Sequence, residues 1–520
     1  MNNEKLNICF LDPEWTWDNR YFDVYNWIEP IWAISVAENI KNEKRNVDFV
    51  QQLTKSNREI VDIILSKKPA ILAVTSYSYN FSNSLEIVKE IKKNINDLIV
   101  VYWWIHVTYC PEESLNTDLI DFIVRNEGEK SFDELLSYLE NWNNDYSNIS
   151  WIWFKKNWKI IITKDGERIK NLSELDFSKR EWLDMDYKKE SFCHLPISQI
   201  KNAWIEKSRW CWFNCEFCTS KDFWKWWNIL KRDLSKVIDE IKYLHNNFWT
   251  NYLLFSDERF IIKWRKEDIE LLDLMIEEKI WDIINYSCFN TLRDVDQDIL
   301  YKLKKSWCSY INYWVEAIDI DVIKKMRKKH NVIDNARNVF IMTKNADIFW
   351  AALFMIGSPY ETISNIDKLE KYVLENADVI DKIRIAFYTP FPWTKSFEDS
   401  MKSDIFHNKV FDTNNTIWYN SFTTKDVVIT PKWLISELWL DDLTKIEQDI
   451  EIEKYLKNRK KEILIKFYTS ESYFNSCIER IKNNKILKNV YKEWFLNQSK
   501  SITNYFDFIP YELKNILWIT

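Results

Sequence analysis

Short apolar runs alternate with amphipathic stretches along the first 145 residues. The stretches between the runs, such as "SNSLEIVKEIKKN", place apolar residues at helical spacing. Strand–helix units in series predict a doubly wound parallel sheet, a Rossmann-like α/β fold with right-handed crossovers. Ligands of such sheets bind beyond the carboxyl ends of the strands. The five runs that predict buried strands are "LNICFL", "NVDFV", "AILAVTS", "LIVVYW" and "DFIVR".

The pattern changes after this first domain (1–145). Residues 146–200 predict a small hairpin, "ISWIWFKKNWKIIITKDGERI", followed by an irregular linker. Residues 201–415 alternate again, which predicts a partial (β/α)6 barrel of the TIM type, with its chemistry at the carboxyl ends of the strands. Residues 416–520 predict a helical region without a readable motif. The six predicted barrel strands are "NAWIEKS", "NYLLFSD", "INYSCFN", "SYINYWVE", "WAALFMIG" and "KIRIAFYT".

Composition narrows the class of protein. The chain is 46% hydrophobic over 520 residues, enough for two or three domains with cores, and its net charge of -7 argues against a nucleic-acid surface. No apolar run reaches the roughly 20 residues of a membrane span. The N-terminal segment lacks the features of a signal peptide, and nine cysteines in such a chain favour a reducing, cytoplasmic setting with clustered cysteines used for metal.

Glycine and tryptophan usage is anomalous. The chain has 3 glycines and 29 tryptophans, whereas ordinary usage of about 7% glycine would give roughly 36 glycines at this length. Tryptophan stands where turns require glycine, as in "FKKNWKI", "PFPWTKS" and "VVYWWIHVT". We therefore expect that the source cell translates UGA codons as glycine and that the printed sequence shows these positions as tryptophan. A few positions, such as Trp182, are expected to be true tryptophans, and the alternative is a protein that is tryptophan-rich throughout.

One loop carries a metal-binding pattern. In "EKSRWCWFNCEFCTS", Cys211, Cys215 and Cys218 have the spacing C-x3-C-x2-C, directly after the first predicted barrel strand. Three thiolates ligate three irons of a 4Fe–4S cluster and leave the fourth iron open. Zinc is the competing interpretation, but structural zinc takes four ligands, and the nearest further candidates are Cys193 and His194 upstream.

With tryptophan read as glycine, the loop becomes "SRGCGFNCEFCTS", which resembles the radical S-adenosylmethionine (radical SAM) superfamily. The resemblance implies that the open iron binds S-adenosylmethionine and that one electron from the cluster cleaves it to a 5′-deoxyadenosyl radical. It also implies that Phe217 flanks the adenine. Later segments resemble other family signatures: "NYLLFSDERFI" implies cofactor contacts at Asp257 and Glu258, "SWCSYINYWVEAID" at Glu316, and "FMIGSPYET" at Gly357. Taken alone, each of these residues is more often a cap or turn residue.

The first domain resembles the cobalamin-binding domain that precedes one large subfamily of these enzymes. The similar segments are "WIEPIWAISVAENIK", "YWWIHVTYCPEE" and "DFIVRNEGEKSFDELL". The loop "LDPEWTWDNR" lacks the D-x-H-x-x-G pattern, so the resemblance implies base-off cobalamin without that histidine. Loss of cobalamin binding is the alternative for the domain. For the loop histidine His106, a hydrogen-bonding turn residue is the alternative to a cobalt ligand. The implied cobalamin contacts are Thr75, Ser76, Trp103, Trp104, His106, Glu127 and Gly128.

Three functions follow from the resemblance. The first is a cobalamin-dependent radical SAM C-methyltransferase acting on a small molecule, with an electron donor such as flavodoxin or ferredoxin. The second is a radical SAM enzyme that performs oxidative cyclisation or another rearrangement, as in tetrapyrrole-ring-forming relatives. The third is a cobalamin- or SAM-binding sensor without turnover. The three-cysteine loop argues against the sensor, which has no need of an open iron.

Overall fold

The computed structural model describes most of the chain in fifteen segments. The residues outside these segments include Trp182, Cys193, His194, Trp210 and most of the loop "LDPEWTWDNR" after β1. The described residues are 5–13, 29–52, 55–141, 143, 145–176, 180, 201–209, 211–220, 223, 229–328, 333–411, 417, 425–483, 487–501 and 504–518.

The first domain contains a seven-stranded sheet in the order β2-β1-β3-β4-β5-β6-β7. Strands β1 to β5 are parallel, as the five apolar runs predict. The strands are β1 Leu6–Asp12, β2 Arg45–Gln51, β3 Ile71–Thr75, β4 Ile99–Trp103, β5 Phe122–Val124, β6 Ile152–Lys156 and β7 Lys159–Ile162. The helices are α1 Ile31–Asn39, α2 Asn57–Lys67, α3 Ser78–Lys92, α4 Ile105–Tyr109, α5 Pro111–Leu115 and α6 Gly128–Glu140.

Helices cover both faces of this sheet, which confirms the doubly wound prediction. Successive β1 residues point to opposite faces, so that Phe10 packs with α1 and α6, whereas Leu11 packs with α2 and α3. The predicted hairpin is present as β6 and β7. It extends the sheet, because β6 pairs antiparallel with β5 and places Phe154 opposite Phe122.

The second domain contains a six-stranded parallel sheet in the order β15-β14-β13-β12-β11-β8. Neighbours in sequence are neighbours in space, which is the arrangement of a part-barrel and confirms the prediction. The strands of this domain are β8 Asn202–Ile205, β11 Tyr252–Phe255, β12 Asn285–Asn290, β13 Cys308–Glu316, β14 Phe349–Ile356 and β15 Lys382–Phe387, with a two-stranded ribbon of β9 Ser208–Arg209 and β10 Leu230–Lys231. The helices are α7 Leu234–Phe248, α8 Lys266–Glu277, α9 Gln297–Lys305, α10 Ile320–Lys325, α11 Ala336–Asn345, α12 Ile363–Glu375 and α13 Lys395–Lys402.

The C-terminal region is helical and packs on the part-barrel. Its helices are α14 Lys432–Glu437, α15 Lys445–Tyr468, α16 Glu471–Asn483, α17 Leu487–Ser501, α18 Tyr505–Phe508 and α19 Tyr511–Leu517. Helix α15 covers the edge strand β15, where the Tyr468 hydroxyl donates to Ile383 O and accepts from Ile383 N, both at 3.1 Å. An exposed strand edge is thereby satisfied within the chain. Among the described residues, no helix has the length and apolar character needed to cross a membrane.

Tryptophan is unusually frequent among the residues whose backbone has a left-handed conformation. Among the described residues, eighteen non-glycine residues have positive φ, and eight of them are tryptophan. This region favours glycine, because a Cβ atom there is strained. Trp104, with φ 95° and ψ -166°, lies in a region that is essentially restricted to glycine. The eight are Trp104, Trp151, Trp158, Trp249, Trp307, Trp393, Trp439 and Trp518.

Candidate active site

The cysteine loop begins at the carboxyl end of the first barrel strand. It follows the short strand β9, and all three cysteines are partly exposed. Burial raises the pKa of the Cys215 thiol to about 12 and that of Cys218 to about 11. Burial also raises the pKa of Cys211, and the charge of Cys218 adds to the rise at both other cysteines. Cys218 therefore lies within electrostatic reach of both other sulfurs, and a bound cation is needed to hold the three as thiolates at neutral pH.

The middle of the loop is held by two tyrosines, neither of which the sequence predicts as a site residue. The Glu216 carboxylate accepts a hydrogen bond from Tyr360 and one from Tyr388, each at 2.8 Å. Tyr388 also contacts the ring of Phe217, with centroids 6.2 Å apart. Tyr360 occupies the position at which the family motif has a second glycine, and that departure was the only sequence signal for this contact.

Two strand-end carboxylates predicted as cofactor contacts lie beside the loop. Asp257 accepts from Lys207 N at 3.1 Å and from Ser208 Oγ at 2.5 Å, which fixes the segment leading into the loop. Glu258 accepts from Ser220 Oγ, whose oxygen lies 3.5 Å from Cys218 Sγ. Burial raises the pKa of Glu258. The structure thus brings both predicted residues to the cysteines.

Glu316 reaches the same loop from β13. Its carboxylate pairs with Lys328 Nζ at 2.6 Å, and both side chains are buried. Charges on Glu316 and Lys328 influence the pKa of Cys215, which places the pair near the cluster ligands. Glu316 has φ 63°, a strained conformation of the kind found at functional sites. Lys328 was missed, because nothing in the run "KKMRKKH" distinguishes one lysine from its neighbours.

Gly357 ends β14 with a φ of 84°. The backbone conformation favours glycine, and a Cβ atom at this position would also lie 3.0 Å from Leu456 Cδ1 on α15, which would then have to move. The turn that follows is closed by Glu361, whose carboxylate accepts from Ser358 N at 2.7 Å. Gly357 therefore shapes the turn that carries Tyr360 towards the cysteine loop.

The first domain brings its predicted residues to the carboxyl ends of β3, β4 and β5. Ser76 N donates to Trp103 O at 2.9 Å, and His106 N donates to Ser76 O at 3.1 Å, so the turns after β3 and β4 are tied together. Thr75 Oγ1 contacts Leu11 O at 3.5 Å. His106 lies in α4, not in a loop; its Nδ1 lies 3.2 Å from Ser78 Oγ, and burial lowers its pKa to about 3.

The turn after β5 faces the second domain. Glu127 precedes the first residue of α6, Gly128, where an added Cβ atom would lie 2.7 Å from Trp103 Nε1. The Glu127 carboxylate lies 3.5 Å from Arg209 Nη1, two residues before Cys211. The cavity beside this turn has room for about one water molecule and is far too small for a small-molecule ligand.

The polar groups at these strand ends fit a cofactor, whereas the space beyond them is filled by aromatic rings. Within the described residues, Ser76 Oγ and Asn126 Oδ1 are buried without a hydrogen-bond partner. The Trp104 ring stacks on Trp32 at 5.0 Å and meets Phe223 at 5.0 Å. Each such indole buries about 150–250 Å². A cobalamin fits this crevice only if these indoles are absent.

The described part of the cysteine loop shows no site for a single metal ion. In the part of the chain that the structure describes, no group of three or more His, Cys, Asp or Glu side chains converges on one ion position. Cys193 and His194, the further candidates for a zinc site, lie outside these residues. A cluster differs in that each thiolate binds a separate iron, so the sulfurs need not converge.

Two family profiles match the chain, each over one of the two sheets. The profile described as B12 binding domain matches residues 22–136, and that described as Radical SAM superfamily matches residues 205–373. An anaerobic magnesium-protoporphyrin IX monomethyl ester cyclase of Cereibacter sphaeroides is 24% identical over 420 residues, which are 79% of this chain and 65% of the cyclase. The chain thus spans just under two thirds of that relative.

A second relative and one solved structure extend the likeness. An uncharacterized methyltransferase of Pyrococcus horikoshii is 25% identical over 446 residues, 84% of this chain and 89% of the relative. The structure of the cobalamin-dependent S-adenosylmethionine radical enzyme OxsB with aqua-cobalamin bound aligns with a TM-score of 0.63 at 12% identity. The alignment covers 99% of this chain and 84% of OxsB. At that identity the likeness concerns the fold, including the C-terminal helices.

Proposed function

Because the chain carries a B12-binding domain followed by a radical SAM domain, and so belongs with the cobalamin-binding radical SAM enzymes, we propose that it methylates an unactivated carbon of a small-molecule substrate. The observation that carries the proposal is the position of the cysteine loop. The loop lies at the carboxyl end of the first barrel strand, and the residue before it reaches the turn after β5 of the B12-binding domain.

The radical SAM domain implies a 4Fe–4S cluster and S-adenosylmethionine, and the B12-binding domain implies cobalamin. Cys211, Cys215 and Cys218 would hold the cluster, and the turns at Ser76, Trp104 and Glu127 would hold cobalamin. When bound, these groups supply an electron that cleaves S-adenosylmethionine and a methyl group for the substrate carbon.

The chain's own residues position and shield this chemistry. Tyr360 and Tyr388 fix the loop through Glu216, which keeps Phe217 beside the cluster ligands. Glu258 lies buried beside Cys218 and, as the neighbouring carboxylate, is suited to contact the amino group of S-adenosylmethionine. Glu316 could accept hydrogen bonds from the ribose hydroxyls of S-adenosylmethionine once its ion pair with Lys328 is broken. The helices α14 to α19 pack on the barrel and share its hydrophobic core.

The native protein, in this proposal, has glycine at most of its written tryptophans. Two observations support it: eight described tryptophans have the positive φ that favours glycine, and indoles fill the crevice at the B12-binding strand ends. Glycine at Trp32 and Trp104 would remove two rings from that crevice, and glycine at Trp393 would remove the ring that stacks on Tyr109 of α4 at 5.0 Å. We call the chain with glycine at every UGA codon the glycine-restored chain.

Oxidative cyclisation is the second candidate, favoured by the 24% identity to the Cereibacter sphaeroides cyclase. A sensor without turnover is the third. An electron donor such as flavodoxin or ferredoxin is part of either enzymatic proposal, because cleavage of S-adenosylmethionine consumes an electron.

The test uses the glycine-restored chain, reconstituted anaerobically with iron, sulfide and hydroxocobalamin. The reduced protein receives S-adenosylmethionine and a small-molecule extract of the source cells. Methyl transfer predicts release of both 5′-deoxyadenosine and S-adenosylhomocysteine, since one S-adenosylmethionine would supply the radical and a second would supply the methyl group. Extract-dependent 5′-deoxyadenosine without S-adenosylhomocysteine would favour cyclisation. Absence of both products, with cobalamin bound in its base-off form, would favour the sensor.

A further inference from the structure

Arg209 joins the two domains at the entrance to the cysteine loop. Its guanidinium contacts three carboxylates: Glu206 at 2.8 Å from its own domain, and Glu129 at 3.0 Å and Glu127 at 3.5 Å from the B12-binding domain. All four side chains are almost fully buried, with 6% or less of each side chain exposed. A buried guanidinium with several fixed donors transmits geometry better than an exposed ion pair.

The two acidic partners belong to a rigid element. Glu127 and Glu129 flank the first residue of α6, so their carboxylates move with that helix and with the turn after β5. Ser35 Oγ on α1 donates to Glu129 at 3.0 Å and fixes the second carboxylate further. A shift of this turn therefore moves the carboxylates that hold Arg209. Because Arg209 is only two residues before Cys211, the shift also displaces the start of the cysteine loop. None of the four charged residues is a tryptophan, but Trp32 Nε1 donates to Glu206 at 3.1 Å, so one contact of the arrangement depends on how UGA is read.

We propose that Arg209 is a positioning residue that couples cobalamin occupancy of the first domain to the order of the cysteine loop in the second. The inference rests on the proposed function in that it assigns cobalamin to the turn after β5 and the cluster to the loop. Coupling of this kind is reciprocal, so the cluster must strengthen cobalamin binding by the same factor by which cobalamin strengthens cluster retention.

The first test needs neither cofactor. Hydrogen exchange in the apo protein reports loop order at the Cys218 amide, which donates to Cys215 O at 3.1 Å, and at the Glu216 amide, which donates to Met326 O at 3.2 Å. Glu129→Gln keeps the shape of the side chain and removes its charge. We expect exchange of these two amides to accelerate by about fivefold or more, the effect of roughly 1 kcal/mol.

Two control variants separate coupling from general destabilisation. Ser35→Ala removes a hydrogen bond to the same carboxylate but leaves its charge facing Arg209. Arg480→Lys perturbs a buried ion pair with Asp381 at 2.7 Å, between β15 and α16. Both variants should leave loop exchange within twofold of the parent. Equal acceleration in Glu129→Gln and Arg480→Lys would overturn the inference, as would unchanged exchange in Glu129→Gln.

The second test measures linkage in the glycine-restored chain. The dissociation constant of hydroxocobalamin is compared with and without the reconstituted cluster. We expect binding to be about tenfold tighter with the cluster in the parent, within the usual range of coupling, and the ratio to fall towards one in Glu129→Gln. The same ratio in both proteins would contradict the coupling. A parent that binds no cobalamin at all would contradict the proposed function instead, and the apo exchange result would still decide the role of Arg209.

Discussion

The hairpin between β6 and β7 offers a direct test of the glycine interpretation. Asn157 and Trp158 form its two-residue loop, with φ of 51° and 65°. Positive φ at both positions defines a type I′ turn, for which Asn-Gly is the preferred pair. Replacing Trp158 by glycine should stabilise the hairpin, although it removes the largest side chain available.

The magnitude follows from exposure and backbone strain. Trp158 is 91% exposed, so almost no buried surface is lost on replacement. A left-handed conformation costs a residue with a Cβ atom about 1–2 kcal/mol. The greater conformational freedom of glycine in the unfolded chain reduces this stabilisation by about 0.4–1 kcal/mol. The net stabilisation should therefore be about 1 kcal/mol.

Hydrogen exchange across the hairpin measures this local free energy without requiring two-state unfolding of the whole chain. The amides of Lys156 and Lys159, the hydrogen-bonded pair that closes the loop, should gain protection of about fivefold in Trp158→Gly. Trp158→Ala is the matched control, because alanine removes the indole but keeps the Cβ atom. Alanine should give little of the gain. Equal protection in both variants would refute the reasoning, because the indole and not the backbone would then be responsible.

Three further outcomes are expected. Alanine at any one of the three loop cysteines should abolish cleavage of S-adenosylmethionine and lower the iron content, whereas Cys477→Ala, in the helical region, should leave both unchanged. Trp494 is buried and donates to Tyr473 OH at 3.0 Å, so Trp494→Gly should destabilise the chain by about 3–5 kcal/mol in urea unfolding, opposite in sign to Trp158→Gly. Burial raises the pKa of Glu361 from 4.5 to about 7, so the unfolded chain ionises first and the stability contribution of this group is lost as pH rises through about 7. The free energy of unfolding of Glu361→Gln, relative to that of the parent, should therefore rise by up to ~3 kcal/mol between about pH 5 and about pH 8. A difference that does not change with pH would contradict this.

Local patterns were sufficient to predict the strands of both sheets. Apolar runs such as "AILAVTS" and "WAALFMIG" are buried on both faces, and that burial leaves a direct mark on the sequence. The loop cysteines, Asp257 and Glu258 follow strands closely, so the topology brings them together. The attachment of the hairpin to β5 was not predictable, because strand pairing is not encoded in the alternation of a single strand.

Contacts between segments far apart in the chain could not be predicted from the sequence. Glu216 meets Tyr360 and Tyr388 across separations of 144 and 172 residues, and no periodicity connects such positions. The same holds for Arg209 and Glu129, 80 residues apart. Ion pairs of this kind depend on how two complete domains pack, which is decided by the fit of whole surfaces.

The fate of the methyl group tests the central proposal most directly. The glycine-restored, cofactor-loaded protein is given S-adenosylmethionine with a trideuterated methyl group, together with the cell extract, and new products are identified by mass spectrometry. The proposal predicts a product that carries the intact trideuteromethyl group on carbon and forms only when all three loop cysteines are present. A cysteine-dependent product that carries no deuterium and has lost hydrogens relative to its precursor would contradict methyl transfer.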